Sequence, residues 1–393
     1  MCSNNRVFID TWRKLLMIKF NVPPKTGEEL KYIADAIASE KICGDGKYTK
    51  MDQEILEKHF NSKKIYLTTS GTSALEMACM LIDLKPGDEV ILPSFTFSST
   101  ATAPVLFGAT PVFVDCRKDT MNIDETKIEA AITDKTKAIM VVHYAGIGCN
   151  MEVIMDIAKR HHLRVIEDAA QVVNSIYHGK YLGTIGDVGC YSFHETKNYS
   201  MGEGGGVSIN DEELIERAAI IREKGTNRTQ FINGQVDKYT WVDKGSSYLP
   251  SDMLAAHMYP QLLIMDEMRQ NRVDSFNLYY KLLTPLKEKG LIELPTVPEG
   301  CVHNAHMFYI KVKDIKEREA LQVFLREHGI ASAFHYIPLH SCKAGKELGR
   351  FVGEDINTTR ESERLLRLPM YYKLSSEDVH TVCDTIKEFY LNK

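Results

Sequence analysis

The stretch Cys190-Tyr191-Ser192-Phe193-His194-Glu195-Thr196-Lys197-Asn198-Tyr199 is followed closely by the glycine run Gly202-Glu203-Gly204-Gly205-Gly206. It opens apolar and aromatic, which predicts a buried strand, and it ends in polar residues and one lysine. A second apolar run, Leu163-Arg164-Val165-Ile166, lies upstream and ends in Glu167-Asp168-Ala169-Ala170-Gln171. In an open α/β sheet, ligands sit beyond the carboxyl ends of the strands. Both runs put their polar residues there. One offers an amine, the other a carboxylate. A Schiff-base lysine and an acid facing a pyridinium nitrogen are what a pyridoxal 5'-phosphate (PLP) site requires. A surface lysine near an acid is the plain alternative, and this pair alone does not separate the two.

Outward from this stretch, strands and helices alternate. Residues 65–69 read as a strand that runs into Ser70-Gly71-Thr72-Ser73 and a helix over 74–82. A hydroxyl-rich turn opening a helix suits an anion, because backbone N–H groups and the positive helix end face it. Simple N-capping by Ser70 or Thr72 is the alternative. Strands follow at 90–92, 111–114 and 138–142, with helices at 28–39, 51–60, 100–107, 124–132 and 151–162. This rhythm predicts a mainly parallel sheet with helices on both faces. Beyond the glycine run come a strand at 207–209 and a helix at 212–224. A long polar and aromatic loop at 225–249 reads as functional. Helices at 251–259 and 261–286 are separated by a break near Pro260. From residue 291 the character becomes α+β. Strands are expected at 305–312 and 331–336, a helix at 317–328, a short helix at 361–368 ended by Pro369, and a last helix at 377–390. The expected division is an extension at 1–16, a large domain at 17–265 and a smaller α+β domain at 266–393.

Bulk composition agrees with two domains. A chain of 393 residues is long for one. With 48 basic and 53 acidic residues, nothing resembles the basic face of a nucleic-acid-binding protein. The nine cysteines are scattered singly with no C-x-x-C pair, which argues against a disulfide framework or a metal site and for a reducing compartment. No apolar run reaches the length of a membrane span, and residues 1–16 make a poor signal peptide. The expected location is the cytoplasm.

Four motifs then act together: Ser70-Gly71-Thr72, Glu167-Asp168-Ala169-Ala170-Gln171, Ser192-Phe193 five residues before Lys197, and Gly202-Glu203-Gly204-Gly205. With them the chain resembles the DegT/DnrJ/EryC1/StrS sugar aminotransferases, PLP enzymes of the aspartate aminotransferase-like fold type I, from residue 17 to the end. Cys43-Gly44-Asp45-Gly46, Arg222-Glu223-Lys224-Gly225-Thr226-Asn227-Arg228 and Phe334-His335-Tyr336-Ile337-Pro338 are similar to the branch that makes dTDP-4-amino-4,6-dideoxygalactose for enterobacterial common antigen. The resemblance implies that Lys197 forms the Schiff base and that Asp168 faces the ring nitrogen. It places Gln171 near the ring oxygen, Phe97 against the ring, and Gly71, Thr72 and Ser192 around the phosphate. Asn227 would reach the phosphate of the other subunit of a homodimer. His194, Arg228, His335 and Tyr336 are the candidates for sugar contact. The implied substrates are L-glutamate and dTDP-4-keto-6-deoxy-D-glucose, aminated at C4. Amination to the gluco epimer, a 3-ketosugar substrate, and a non-catalytic regulatory protein on the same scaffold are the alternatives. A sugar dehydratase of this fold carries histidine in place of the lysine, and Lys197 disfavours it.

Overall fold

The computed structural model describes residues 18–391, so the extension expected at 1–16 lies outside the described residues. Five strands open the chain order: β1 (Lys64–Thr68), β2 (Glu89–Pro93), β3 (Thr110–Val114), β4 (Thr136–Val142) and β5 (Arg164–Asp168). Two short strands, β6 (Ile176–Tyr177) and β7 (Lys180–Tyr181), precede β8 (Val188–Ser192) and β9 (Gly205–Ile209). The C-terminal part adds β10 (Cys301–Val302), β11 (Phe308–Lys311), β12 (Ala333–Phe334), β13 (Arg350–Phe351) and β14 (Leu365–Leu368).

The main sheet runs β1-β9-β8-β5-β4-β2-β3-β13. Only β9 is reversed, since it pairs antiparallel with both β1 and β8 while the other neighbours pair in parallel. Alternate residues of the same strands enter different cores, as the period of two requires. Ile65, Leu67, Ile91, Val112, Ile139 and Val165 face one core. Tyr66, Val90, Leu92, Phe113, Met140 and Ile166 face the other. Burial on both faces is why these strands read as continuous apolar runs.

This topology brings three strand ends together. Asp168 is the last residue of β5 and Ser192 the last of β8, and these strands pair with Asp168 opposite Cys190. Gly205 on β9 sits between Thr68 and Ser192. A Cβ there would lie 2.3 Å from the Ser70 carbonyl oxygen, so only glycine fits. The glycine run thus lets β9 wedge between the turn at Ser70 and the end of β8.

A second antiparallel sheet, β11-β14-β12, has its own core. Helices Met265–Glu288, Ile315–Glu327 and Ser376–Leu391 contribute Phe276, Leu283, Leu321, Leu325, Val382 and Ile386 to it. Ile18 joins that core and bridges to Ile330. β13 returns to the edge of the main sheet beside β3.

Three expectations need correction. The helix break falls at Ile264 (φ −121°, ψ 26°), and Pro260 lies inside the helix Asp252–Leu263. Proline supplies no N–H to the Ala256 carbonyl one turn back, yet the helix runs on through it for three more residues. The helix expected from residue 51 starts at Lys47, because Asp252 accepts the N–H groups of Tyr48 and Thr49 at 3.2 and 2.7 Å. Residues 361–368 are not one helix: the helix Thr358–Arg364 gives way to β14 before Pro369. β14 is the central strand of its sheet, and pairing on both edges overrides local helix preference.

Candidate active site

A cavity of about 560 Å³ opens at the carboxyl ends of β5 and β8, roofed by residues of the small sheet. It gathers ten of the twelve candidate residues: Gly71, Thr72, Phe97, Asp168, Gln171, Ser192, His194, Lys197, His335 and Tyr336. Asn227 and Arg228 lie outside it within the same chain. Asn227 Oδ1 accepts the Thr240 N–H at 2.7 Å, and Arg228 pairs with Glu223 at 3.0 Å.

Lys197 follows β8 in a turn closed by its own N–H donating to the His194 carbonyl at 2.9 Å. Its amine is pushed down to about 8, first by burial. The charge of Asp168 opposes that shift and the charge of Arg367 adds to it. Burial, more than a neighbouring cation, therefore brings this amine toward neutrality.

Asp168 is 6% exposed. Its Oδ2 accepts the Thr100 hydroxyl at 2.7 Å and its Oδ1 accepts the Ala170 N–H at 3.2 Å. Burial raises its pKa, and two neutral donors only partly offset that. A buried carboxylate with so little compensation is prepared for a cation from the cavity side.

The turn into the helix Gly71–Leu81 faces the same space. Ser70 Oγ takes the Ser73 N–H at 3.0 Å, so capping is real. The first N–H groups of the helix have no intrahelical partner, and Gly71 and Thr72 line the cavity. Thr72 and Ser99 share a hydroxyl contact of 2.8 Å. A Cβ on Gly71 would meet the Ser192 Cβ at 2.8 Å, so glycine keeps this cradle open. Phe97 caps the helix Ser98–Leu106 and is 60% exposed at the cavity.

The remaining polar groups hold one another. Gln171 accepts the Ala145 N–H at 2.7 Å and donates to the Tyr336 hydroxyl at 3.1 Å. Tyr336 and His335 stack with centroids 3.9 Å apart. His194 stands at the mouth, bonded to Thr196 at 2.9 Å and 3.6 Å from Glu203. Phe95, Tyr144 and Phe193 are buried. His143 bonds Glu167 at 2.9 Å, and Glu167 also accepts three backbone N–H groups.

Two lining residues are illegible in the sequence. Arg367 follows from β14, which reads locally as helix. His306 is buried beside the lysine turn and bonds Asn198 at 3.1 Å. Asn198 donates its own NH2 to the Asn304 carbonyl, so His306 Nδ1 donates and Nε2 is an acceptor. Only the contact across 108 residues of chain reveals its place.

The hydroxyl-rich turn at Gly71, Thr72, Ser99 and Ser192, the acid at Asp168, the exposed ring of Phe97 and the amine of Lys197 fit the edges of one PLP molecule. With the main sheet's order and single reversed strand, they define a PLP enzyme of the aspartate aminotransferase-like fold type I. Residues 23–387 match the DegT/DnrJ/EryC1/StrS aminotransferase family, and the chain belongs to it. A pleiotropic regulatory protein of Geobacillus stearothermophilus is 35% identical, with 92% of this chain and 94% of the relative covered. GDP-perosamine synthase of Escherichia coli O157:H7 is 31% identical, with 94% and 98% covered. The PLP form of Spr1654 from Streptococcus pneumoniae superimposes with a TM-score of 0.85 at 26% identity, over 95% of this chain and 99% of that one. The chain is a sugar aminotransferase with PLP as its cofactor. Among the described residues, no helix is long and apolar enough to cross a membrane.

Proposed function

We propose that the protein transfers the amino group of L-glutamate to C4 of dTDP-4-keto-6-deoxy-D-glucose, giving dTDP-4-amino-4,6-dideoxy-D-galactose for a cell-surface polysaccharide. The observation that carries the chemistry is Lys197 facing Asp168 in one cavity, each within range of the other's charge. When bound, PLP supplies the electron sink for the carbanion. Lys197 supplies the amine that holds the cofactor. With a pKa near 8 in place of 10.5, about 300-fold more of it is neutral at pH 7. The same amine, once released, moves the proton at the α-carbon of the amino donor. Asp168 keeps a proton on the ring nitrogen. Gly71, Thr72, Ser99 and Ser192 bind the phosphate and so fix the reacting carbon at Lys197. Phe97 covers one face of the ring, and Tyr336, held by Gln171, borders its oxygen side.

The sugar identity rests on the resemblance around residues 43–46, 222–228 and 334–338. His194, His335 and Tyr336 border the space the sugar needs. Asn227 supports a homodimer with shared sites, since its Oδ1 is occupied by Thr240 and its NH2 is the end left for a phosphate of the other subunit. Arg228 would enter the partner's site by the same route. Incubation with L-glutamate and dTDP-4-keto-6-deoxyglucose, followed by NMR of the product, tests the assignment. An axial C4 amine is expected. An equatorial amine, or no product from this 4-ketosugar while a 3-ketosugar is aminated, refutes it in favour of the alternative ketosugar readings. The regulatory relative raises a non-catalytic reading. A coloured protein that turns over, and in which borohydride fixes PLP covalently on Lys197, would refute that reading.

A further inference from the structure

His306 brings to the cavity one polar atom without a task in the chemistry of Lys197 and Asp168. The residue stands two positions before β11 and is 6% exposed. Its backbone is fixed from several sides. Asn304 Oδ1 accepts the His306 N–H at 3.0 Å, and the Asn304 NH2 donates to the Gln171 and Val173 carbonyls at 3.0 and 2.8 Å. The buried Arg272 donates to the carbonyls of Ala305 and His306 at 3.1 and 2.8 Å. Ala305 is held at φ 49°, a left-handed backbone that alanine adopts at a cost. A strained and over-determined segment therefore sets the direction of one imidazole. Its Nδ1–H goes to Asn198, the residue after Lys197. No hydrogen bond among the described residues engages Nε2, and this is the polar atom the ring has left for the cavity it lines. Burial, then the charges of Lys197, Arg367 and Arg272, hold the ring well below the usual imidazole range. It is neutral at pH 7, and Nε2 keeps its lone pair.

A buried acceptor without a donor is costly, so Nε2 is prepared for a donor that arrives with a ligand. Three ligands reach this cavity in the aminotransferase reading. PLP meets the protein through other groups: the ring nitrogen at Asp168, the phosphate at the Ser70 turn and the ring oxygen near Gln171 and Tyr336. The amino donor brings carboxylates, which only accept, and an ammonium that must travel to the cofactor. The ketosugar brings hydroxyls, each with a proton to give. The donors of its nucleotide lie beyond C1, across the hexose from the carbonyl at C4. His306 lies close enough to Lys197 for the charge of the amine to act on it, so it serves the reacting end of the sugar. We propose that His306 Nε2 accepts the hydroxyl on C3 of the ketosugar, beside the C4 carbonyl, which makes His306 a specificity-determining residue. This rests on the 4-ketosugar reading above and adds one sugar contact to it.

The test compares dTDP-4-keto-6-deoxyglucose with its 3-deoxy and 2-deoxy forms, as kcat/KM of the PLP-loaded enzyme at saturating L-glutamate. Leaving a buried acceptor unpaired costs about tenfold or more, so the parent should prefer the sugar with the 3-hydroxyl by that factor. In His306→Asn the amide NH2 replaces Nδ1–H toward Asn198, and nothing replaces Nε2. The preference should fall about tenfold. In His306→Gln the amide oxygen stands where Nε2 stood, and the bond to Asn198 is lost. This variant should lose activity on both sugars and keep the preference. The ratio of the two sugars is the readout, because a structural role lowers both alike. A preference unchanged within about threefold in His306→Asn overturns the proposal, as does a parent that takes the 3-deoxy sugar equally well. A preference that appears with the 2-deoxy form and vanishes in His306→Asn moves the contact to another hydroxyl and also overturns it. A parent that aminates none of these 4-ketosugars removes the functional reading and this contact with it, whereas a failed ratio in an active parent removes the contact alone.

Discussion

Replacing Asp168 by Asn removes one charge and leaves the shape. The carboxylate accepts from Thr100 on one oxygen and from Ala170 on the other. An amide reproduces both contacts. Its oxygen takes the Ala170 N–H, and its NH2 donates to Thr100 Oγ1. The Thr100 proton then turns to Thr96 Oγ1, 2.7 Å away. The fold loses no hydrogen bond, so the effect is electrostatic. Opposite unit charges about 4 Å apart are worth about 4 kcal/mol at the effective dielectric of a protein site. At about 1.4 kcal/mol per decade this is a loss of about 10³ in kcat/KM. Stopped-flow measurement of the L-glutamate half-reaction reads it directly.

Stability moves the other way. Burial holds the folded Asp168 pKa above its ordinary 3.8. As pH rises past that value the unfolded chain ionises first, so the carboxylate costs the cofactor-free protein stability at neutral pH. Asparagine carries no such cost. The cofactor-free variant should therefore match or exceed the parent's Tm at pH 7, with the advantage vanishing below about pH 4. A loss of activity under tenfold refutes the electrostatic role. A Tm lowered by several degrees refutes the isosteric argument, because the activity loss would then report damage to the fold.

The Lys197 amine should titrate near 8 in the cofactor-free protein, so its labelling by a trace electrophile, read by mass spectrometry, should reach half-maximum there; a midpoint near 10.5 contradicts the burial argument. Gly71→Ala would place a Cβ 2.8 Å from Ser192 Cβ, an overpacking cost of about 1–3 kcal/mol that should lower Tm by a few degrees, and PLP affinity by titration should fall about tenfold or more; unchanged affinity excludes a cradle there. Asn227→Ala should weaken PLP about tenfold in the assembled protein if its NH2 meets the partner subunit's phosphate. Equal PLP affinity in parent and variant would remove the argument for a shared site.

What was legible in the sequence and what was not divide along one physical line. The apolar runs before Asp168 and Lys197 read as strands because both of their faces are buried, and that burial is written in the residues themselves. The turn at Ser70-Gly71-Thr72 is legible because it follows a strand and opens a helix. The helix start at Lys47 is not, since the group that caps it, Asp252, is about 200 residues away. The roof of the site fails for the same reason. Glu361-Ser362-Glu363-Arg364-Leu365-Leu366-Arg367-Leu368 spaces acids and bases as a helix would, and its second half is strand only because β11 and β12 flank it. The difference is chemical as well as geometric. On a helix, Arg364 and Arg367 would share one face near Glu363, and Arg367 would read as a solvated charge. On a strand, Arg364 at the helix end pairs with Glu361 and Glu293, while Arg367 turns from the leucines that flank it toward Lys197. The residues at the carboxyl ends of β5 and β8 and at the Ser70 turn come from local strand–turn signals and are legible. Arg367 reaches the same cavity through a pairing between distant strands, which the sequence does not announce.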